Sequence, residues 1–414
     1  MRRGTRGWKV SVLAAAGALM GSSLVCSAPA RVKPGVEVLV AKRQDLLRGK
    51  RVGLITNPTG VTSTLKSTID VLNALPGVKL VALFGPEHGV RGDVFAGEQV
   101  SDFVDARTGL PVYSLYGRRS KPTAEMLKDV DVLVYDIQDI GSRTYTYIYT
   151  MASSMEAAAA QKIPFVVLDR PNPVGGLLVE GPVLEHGFES GIGRYPIPYT
   201  YGMTVGELAM LFNREFGINC ELTVVPMEGW RRDMLFADTG LPWVPTSPHI
   251  PHAETALFYP ATGCLGELGI CEGVGYTLPF ELVADEFTDG QALADHLNAQ
   301  ALPGVVFRPQ YFRPYYFRFK DKQLHGVQIH ITDPRAFRPM ETQMHILAAL
   351  RKLYPQVDLF DRSRYRPDSF DRAMGTDKVR KALLEGHSAQ EIMRQWQPAL
   401  DDFMKVRQKS LLYR

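Results

Sequence analysis

Several carboxylates fall where chemistry could be done. Glu87 and His88 sit in the turn sequence Gly85-Pro-Glu-His-Gly89. Asp136, Gln138 and Asp139 follow one another closely and lead into Gly141-Ser-Arg143. Asp169-Arg-Pro-Asn172 forms a third group. Arg91, Asp93 and Glu98 lie in residues 90–109, a stretch without helical pattern, and Glu180 lies in another such excursion. A carboxylate cluster without metal-ligand spacing suits general acid and base work on a neutral or anionic small molecule. Glycoside cleavage is the standard case: one carboxylic acid protonates the leaving oxygen, and a second carboxylate acts as base or nucleophile.

Glu87 is the first candidate, because a Gly-Pro and a Gly on either side would hold it rigidly. The competing reading is an ordinary loop carboxylate that caps a helix. Asp136 and Asp139 come next, and Asp136 also fits a structural turn. Spacing alone makes Glu98 and Glu180 ordinary carboxylates. Arg91 and Arg143 could grip a substrate carboxylate bidentately, or be ion-paired internally with Asp136 or Asp139. Arg143 is read as opening a helix through Tyr145, Tyr147 and Tyr149, rings that either pack or stack on a sugar face. His88, Gln138 and Asn172 complete the polar groups expected to touch substrate. His249 and His252, in Ser247-Pro-His-Ile-Pro-His252, could pair on a metal, line the crevice or stand in a solvated loop.

Strands must bring these residues together. Short apolar runs recur at 52–57, 80–84, 112–116, 132–136, 165–169 and 222–225, separated by helical patterns. Continuous apolar runs suit strands covered on both faces, hence a parallel α/β sheet with helical crossovers. Ligands bind outside the carboxyl ends of such strands, which is where these candidates fall. Thr204 with Glu207, and Ser388 with Glu391, spell capping boxes ahead of amphipathic helices. From about residue 257 the texture changes to glycine-rich and extended segments, with helical patterns at 340–353 and from 378 onward. The expected organisation is a parallel-sheet domain at 31–256 and an α+β domain at 257–414.

Other chemistries lose their usual supports. The first strand-to-helix turn reads Asn57-Pro-Thr-Gly60-Val-Thr, not a dinucleotide fingerprint, and neither a Walker loop nor G-x-S-x-G is present. No cofactor is expected. The chain has 414 residues, 45% hydrophobic and 22% charged, which is ordinary for a globular protein. Its formal net charge of +3 is not gathered in a basic stripe, so nucleic acid is not an expected partner. The first 30 residues read as a secretory leader: Arg2, Arg3, Arg6 and Lys9, an apolar segment at 10–20, and Ala28-Pro-Ala30 before the cut. The segment is too short to span a bilayer comfortably, so an exported, periplasmic protein without a stable membrane span is expected. Of four cysteines, Cys26 lies in the leader. Cys264 and Cys271 are near enough in sequence to pair, or they and Cys220 are buried thiols.

These blocks resemble a known family. Phe84-Gly-Pro-Glu-His-Gly89 with Arg91-Gly92 and Ala96-Gly-Glu98 is similar to the signature of the exo-β-N-acetylmuramidase NamZ family. So are Tyr135-Asp-Ile-Gln-Asp-Ile-Gly141 with Arg143, Tyr145 and Tyr147, Leu168-Asp-Arg-Pro-Asn-Pro173, and Val179-Glu-Gly-Pro182. Tyr201-Gly-Met-Thr204, Glu272-Gly273, Phe370-Asp-Arg372 and Leu411-Leu-Tyr413 continue the likeness in order. The resemblance implies a Rossmann-like N-terminal domain, an α+β C-terminal domain and a cleft that releases N-acetylmuramic acid from the non-reducing end of peptidoglycan fragments. A small sugar or muropeptide substrate follows, whose lactyl carboxylate would give Arg91 and Arg143 a purpose. Glu87, Asp139 and Glu180 are then the expected catalytic carboxyls. His88, Arg91, Glu98, Asp136, Gln138, Arg143, Tyr145 and Asn172 are the expected substrate contacts. Two blocks depart from the pattern: Tyr199-Thr-Tyr201 stands where a basic residue is usual, and Gly263-Cys-Leu-Gly-Glu-Leu-Gly-Ile270 is altered. The rival class is a non-catalytic periplasmic protein that captures muropeptides or amino sugars.

Overall fold

The computed structural model describes residues 31–87, 89–92, 101–117, 119–361 and 367–414. The leader at 1–30 and the site candidates His88 and Glu98 lie outside the described residues. The main sheet contains β1 (Arg51–Thr56), β2 (Lys79–Gly85), β3 (Phe103–Val104), β4 (Pro111–Ser114), β5 (Val132–Asp136) and β6 (Phe165–Leu168). A ribbon of β7 (Val179–Glu180) and β8 (Thr200–Tyr201) precedes its last strand, β9 (Leu222–Val225). The order is β3-β4-β2-β1-β5-β6-β9. The short β3 runs antiparallel to β4, and the other neighbours are parallel.

Alternate residues of one strand enter opposite apolar clusters. Val132 and Val134 of β5 pack with Val52 and Leu54 on one face, while Leu133 and Tyr135 pack with Ile55 and Phe165 on the other. Both faces are dry, so the strands carry no polar alternation. The six apolar runs are all strands of this parallel sheet. The short antiparallel β3 falls in the stretch without helical pattern and had no such signal.

Helices flank the strands: α1 (Gly35–Lys42), α2 (Thr68–Asn73), α3 (Ala124–Leu127), α4 (Tyr147–Gln161) and α5 (Val205–Glu215). Beyond them come α6 (Thr255–Thr262), α7 (Gly290–Asn298), α8 (Pro339–Leu353), α9 (Pro367–Met374), α10 (Lys378–Leu384) and α11 (Ala389–Gln408). The Thr204/Glu207 and Ser388/Glu391 boxes cap α5 and α11. Arg143 does not open a helix, contrary to its sequence reading. Gly141 takes φ +83, the Asp139 carboxylate accepts the Gly141 N–H, and α4 starts only at Tyr147.

The smaller sheet is antiparallel, with β12 (Leu324–Ile331) between β10 (Leu282–Asp285) and β11 (Val305–Phe312). Arg31–Arg414 forms one compact unit. Ile140, Val174 and Tyr199 are buried in the same apolar cluster as Phe258, Val327 and Met344. After α11 the tail returns to the main sheet, where Tyr413 donates a 2.5 Å hydrogen bond to Asp169 at the end of β6.

The strand order reverses at β1. The chain lays β2 and β4 on one side of it, then crosses to place β5, β6 and β9 on the other. This leaves a crevice at the carboxyl ends of β1 and β5, where Thr56 is in register with Asp136.

Candidate active site

Three strand ends bring polar groups to this crevice. Asn57 follows β1, and its Oδ1 accepts the Thr59 N–H at 3.0 Å. Its side chain stands beside the Tyr147 hydroxyl. Glu87 follows β2 in a turn closed by the Gly89 N–H donating to the Pro86 carbonyl at 3.0 Å. The half-buried Glu87 carboxylate accepts a hydrogen bond from Tyr116, whose hydroxyl is pushed up by burial and by the Glu87 charge. Glu87 and Tyr116 line a cleft of about 390 Å³ together with Thr146, Tyr149 and Arg194.

Asp139 follows β5 and is 4% exposed. Its Oδ2 accepts the Tyr201 hydroxyl and, at 2.7 Å, the Gly141 N–H. Burial pushes this carboxyl up to about 7, and the hydrogen bonds from Tyr201 and Gly141 only partly oppose it. The charges of Glu87 and Asp139 both reach Tyr147 and add to the effect of burial in raising its hydroxyl. Tyr147 donates to the Thr246 carbonyl at 2.6 Å, and Tyr145 donates to the Thr246 Oγ1 at 2.8 Å. Their rings meet edge-on at 5.0 Å.

Other candidates face inward. Asp136 is fully buried, with Arg170 Nε at 2.5 Å from one oxygen and Arg170 Nη2 at 2.9 Å from the other. Thr68 adds a third bond at 2.5 Å. Arg143 is also fully buried and donates to the carbonyls of Pro182, Ile197 and Ala373 at 2.8–2.9 Å. Burial holds its guanidinium below the usual arginine range. Arg91 is engaged bidentately by Asp105 at 3.0 and 2.9 Å, which pulls the Asp105 carboxyl down to about 2. The internal partners are therefore Asp105 for Arg91 and peptide carbonyls for Arg143, neither being Asp136 or Asp139.

Gln138 donates to the carbonyls of Asp139 and Pro171 at 2.8 and 2.7 Å. Asn172 donates to the Met203 carbonyl at 3.0 Å and accepts the Val174 N–H at 3.1 Å. Both amides brace the loops after β5 and β6. Glu180 accepts the Met340 N–H at 3.1 Å and so caps the start of α8. Its carboxyl, raised by burial to about 7, lines a separate cleft with Leu177, Arg232 and Arg338.

Tyr116, Tyr201 and Thr246 belong to the site and were missed. Tyr116 ends the third apolar run, so the strand-end rule already pointed to it. Tyr201 and Thr246 carried no local signal, because their partners are 62 and 101 residues away. Glu272 is a further buried carboxyl, away from the residues that line the Glu87 cleft. Burial raises its carboxyl to about 7, aided by Glu267 and opposed by Arg318. The altered glycine-rich stretch makes room for it, since a Cβ on Gly266 would lie 3.2 Å from Glu272 Oε2.

Two family models match the chain: the N-terminal model of exo-beta-N-acetylmuramidase NamZ at residues 52–254, and the C-terminal model at 257–413. A peptidoglycan beta-N-acetylmuramidase NamZ from Bacillus subtilis (strain 168) is 48% identical over 383 residues, 92% of each chain. Two solved structures of DUF1343 family proteins from Bacteroides fragilis NCTC 9343 share the fold. One has a TM-score of 0.87 at 49% identity and the other 0.75 at 30%, each match covering 93% of this chain and 99% of the other.

Proposed function

The chain belongs to the exo-β-N-acetylmuramidase NamZ family. From that membership we propose that it is an exo-acting glycoside hydrolase that releases N-acetylmuramic acid from the non-reducing end of peptidoglycan fragments. The observation that carries the reading is the whole-length likeness to a peptidoglycan β-N-acetylmuramidase. The geometry supports it with a carboxyl at the end of β2, facing a cleft of sugar size.

In this reading Glu87 is the acid/base group and delivers a proton to the leaving oxygen. Tyr116 holds its carboxylate toward the cleft. Asp139 is a positioning residue: its buried carboxyl fixes Tyr201 and the Gly141 turn. Arg91 and Arg143 are held by internal partners, and the cations on the cleft wall are Arg119, paired with Asp102, and Lys121 and Arg194, both paired with Glu156. Cell-wall fragments lie outside the cytoplasm, which fits the leader reading of residues 1–30 and export to the periplasm. Among the described residues no helix is long and apolar enough to cross a membrane.

The test offers purified protein a chromogenic N-acetylmuramic acid β-glycoside beside its N-acetylglucosamine counterpart. Release from the first compound alone is expected. No release from either overturns the proposal.

A further inference from the structure

The loop between β11 and β12 shows a row of aromatic rings to solvent. Tyr315, Tyr316 and Phe317 are consecutive and exposed, at 56%, 37% and 61% of their surface. Single exposed apolar residues need no explanation, but a contiguous group marks a contact surface.

The loop is built rather than loose. Phe312 and Phe319, on either side of the row, are buried in a cluster with Cys271, Leu282 and Leu324. The Tyr315 N–H donates to the Gly275 carbonyl at 2.9 Å, and the Asp321 N–H to the Pro314 carbonyl at 2.9 Å. Gly275 packs so closely that a Cβ there would lie 2.4 Å from the Tyr316 carbonyl oxygen. Phe317 is held at φ +65, a left-handed conformation unfavourable for a bulky residue, and its ring is still turned outward. An anchored loop that spends strain to expose a ring is organised for a ligand.

One of its neighbours, His249, belongs to the same segment as Thr246, which meets Tyr145 and Tyr147. The Tyr316 hydroxyl lies 2.8 Å from His249 Nε2, and the two rings stack at 6.1 Å with 19° between planes. His249 is three residues from Thr246, which takes the hydroxyls of Tyr145 and Tyr147. Arg318 donates to the Gly266 carbonyl beside Glu272. The loop carries Arg313, Arg318, Lys320 and Lys322 against the single carboxylate of Asp321. Its charge is complementary to anionic wall fragments.

We propose that Tyr315, Tyr316 and Phe317 form a stacking platform for the sugar rings on the far side of the scissile bond, the part of a glycan strand that leaves an exo-acting pocket. The proposal rests on the muramidase reading. Pyranose rings offer flat C–H faces to aromatic rings, and the Tyr hydroxyls and basic side chains suit the polar substituents. The platform sets which substrate lengths are favoured and leaves the chemical step alone.

The experiment compares the full chain with a Tyr315→Ala/Phe317→Ala variant on two substrates. One is the chromogenic N-acetylmuramic acid β-glycoside, which has no sugar beyond the bond. The other is an oligosaccharide of alternating N-acetylglucosamine and N-acetylmuramic acid with N-acetylmuramic acid at its non-reducing end. The variant is expected to keep kcat and KM on the first and to show a KM about tenfold higher on the second. An unchanged KM for the oligosaccharide, or an equal rise on both compounds, overturns the platform. Loss of sedimentation with anionic phospholipid vesicles, with the oligosaccharide KM unchanged, assigns the patch to a membrane surface and overturns it too. A wild-type dimer that the variant dissociates, again with KM unchanged, overturns it in favour of a second copy. If the wild-type protein cleaves neither substrate, the muramidase reading is what has failed. Calorimetric binding of the same oligosaccharide then reads the platform directly, with about tenfold weaker binding by the variant expected and equal binding overturning it.

Discussion

The Tyr201 hydroxyl on the β7–β8 ribbon donates to the Asp139 carboxylate, joining residues 62 apart in the chain. The pair is buried, and the carboxyl is held near 7. The loop after β5 is thus fastened to the ribbon by a group whose charge depends on pH.

That carboxyl makes stability pH-dependent. Its folded pKa is raised, so its favourable contribution is present below the unfolded value near 4 and is lost as pH rises toward 7. Asp169, Glu180 and Glu272 are raised to about 7 as well and act in the same direction. The melting temperature is expected to fall between pH 5 and 7.5 and to level off above. Asp139→Asn should flatten this slope, recovering on the order of 4 kcal/mol at pH 8 from Asp139 alone. Thermal melts of both proteins across pH check this. Parallel slopes would remove Asp139 from the explanation.

Glu87→Gln keeps the shape of the turn and deletes the acid. The melting temperature should stay put, while kcat on the chromogenic glycoside falls by about a hundredfold or more. A variant with wild-type turnover would exclude Glu87 from the chemistry.

Arg143 satisfies three carbonyls, two of them at Pro182 and Ile197 and the third on α9 at Ala373. Arg143→Met removes the buried donor shared by these carbonyls, of which Ile197 keeps the Leu184 N–H, and should cost roughly 3–5 kcal/mol. Denaturant titration measures the cost. The KM of the folded fraction should not change, whereas a specific rise in KM for the muramic substrate would return Arg143 to substrate binding.

Arg170→Met strands the Asp136 carboxylate in a dry site. The expected penalty is roughly 3–5 kcal/mol, with partial recovery when Asp136→Asn is added. Equal stability of the single and double variants in a denaturant series would show that the two residues are not coupled.

Cys220, Cys264 and Cys271 are free and buried, and burial pushes all three thiols up. A thiol reagent should find none of them in the native protein and all three after unfolding, with no change in melting temperature on adding reductant. Detection of only Cys220 after unfolding would mean that Cys264 and Cys271 had paired.

The parallel strands of the main sheet could be read along the chain, because a strand dry on both faces must be a continuous apolar run. The capped starts of α5 and α11 were equally legible, since a capping box is complete within four residues. The position of Glu87 followed from the same logic, in the turn that follows a strand. The task of each remaining polar group was decided elsewhere. Asp136 and Asp139 are three residues apart and look alike in sequence, yet one meets Arg170 and the other Tyr201. Arg91 and Arg143 resembled substrate clamps until Asp105 and three distant carbonyls took up their donors. A hydrogen bond depends on which atoms meet in space, and local pattern carries no record of partners 62 or 230 residues away. Tertiary structure therefore separated the carboxyl that faces the cleft from those that hold the fold.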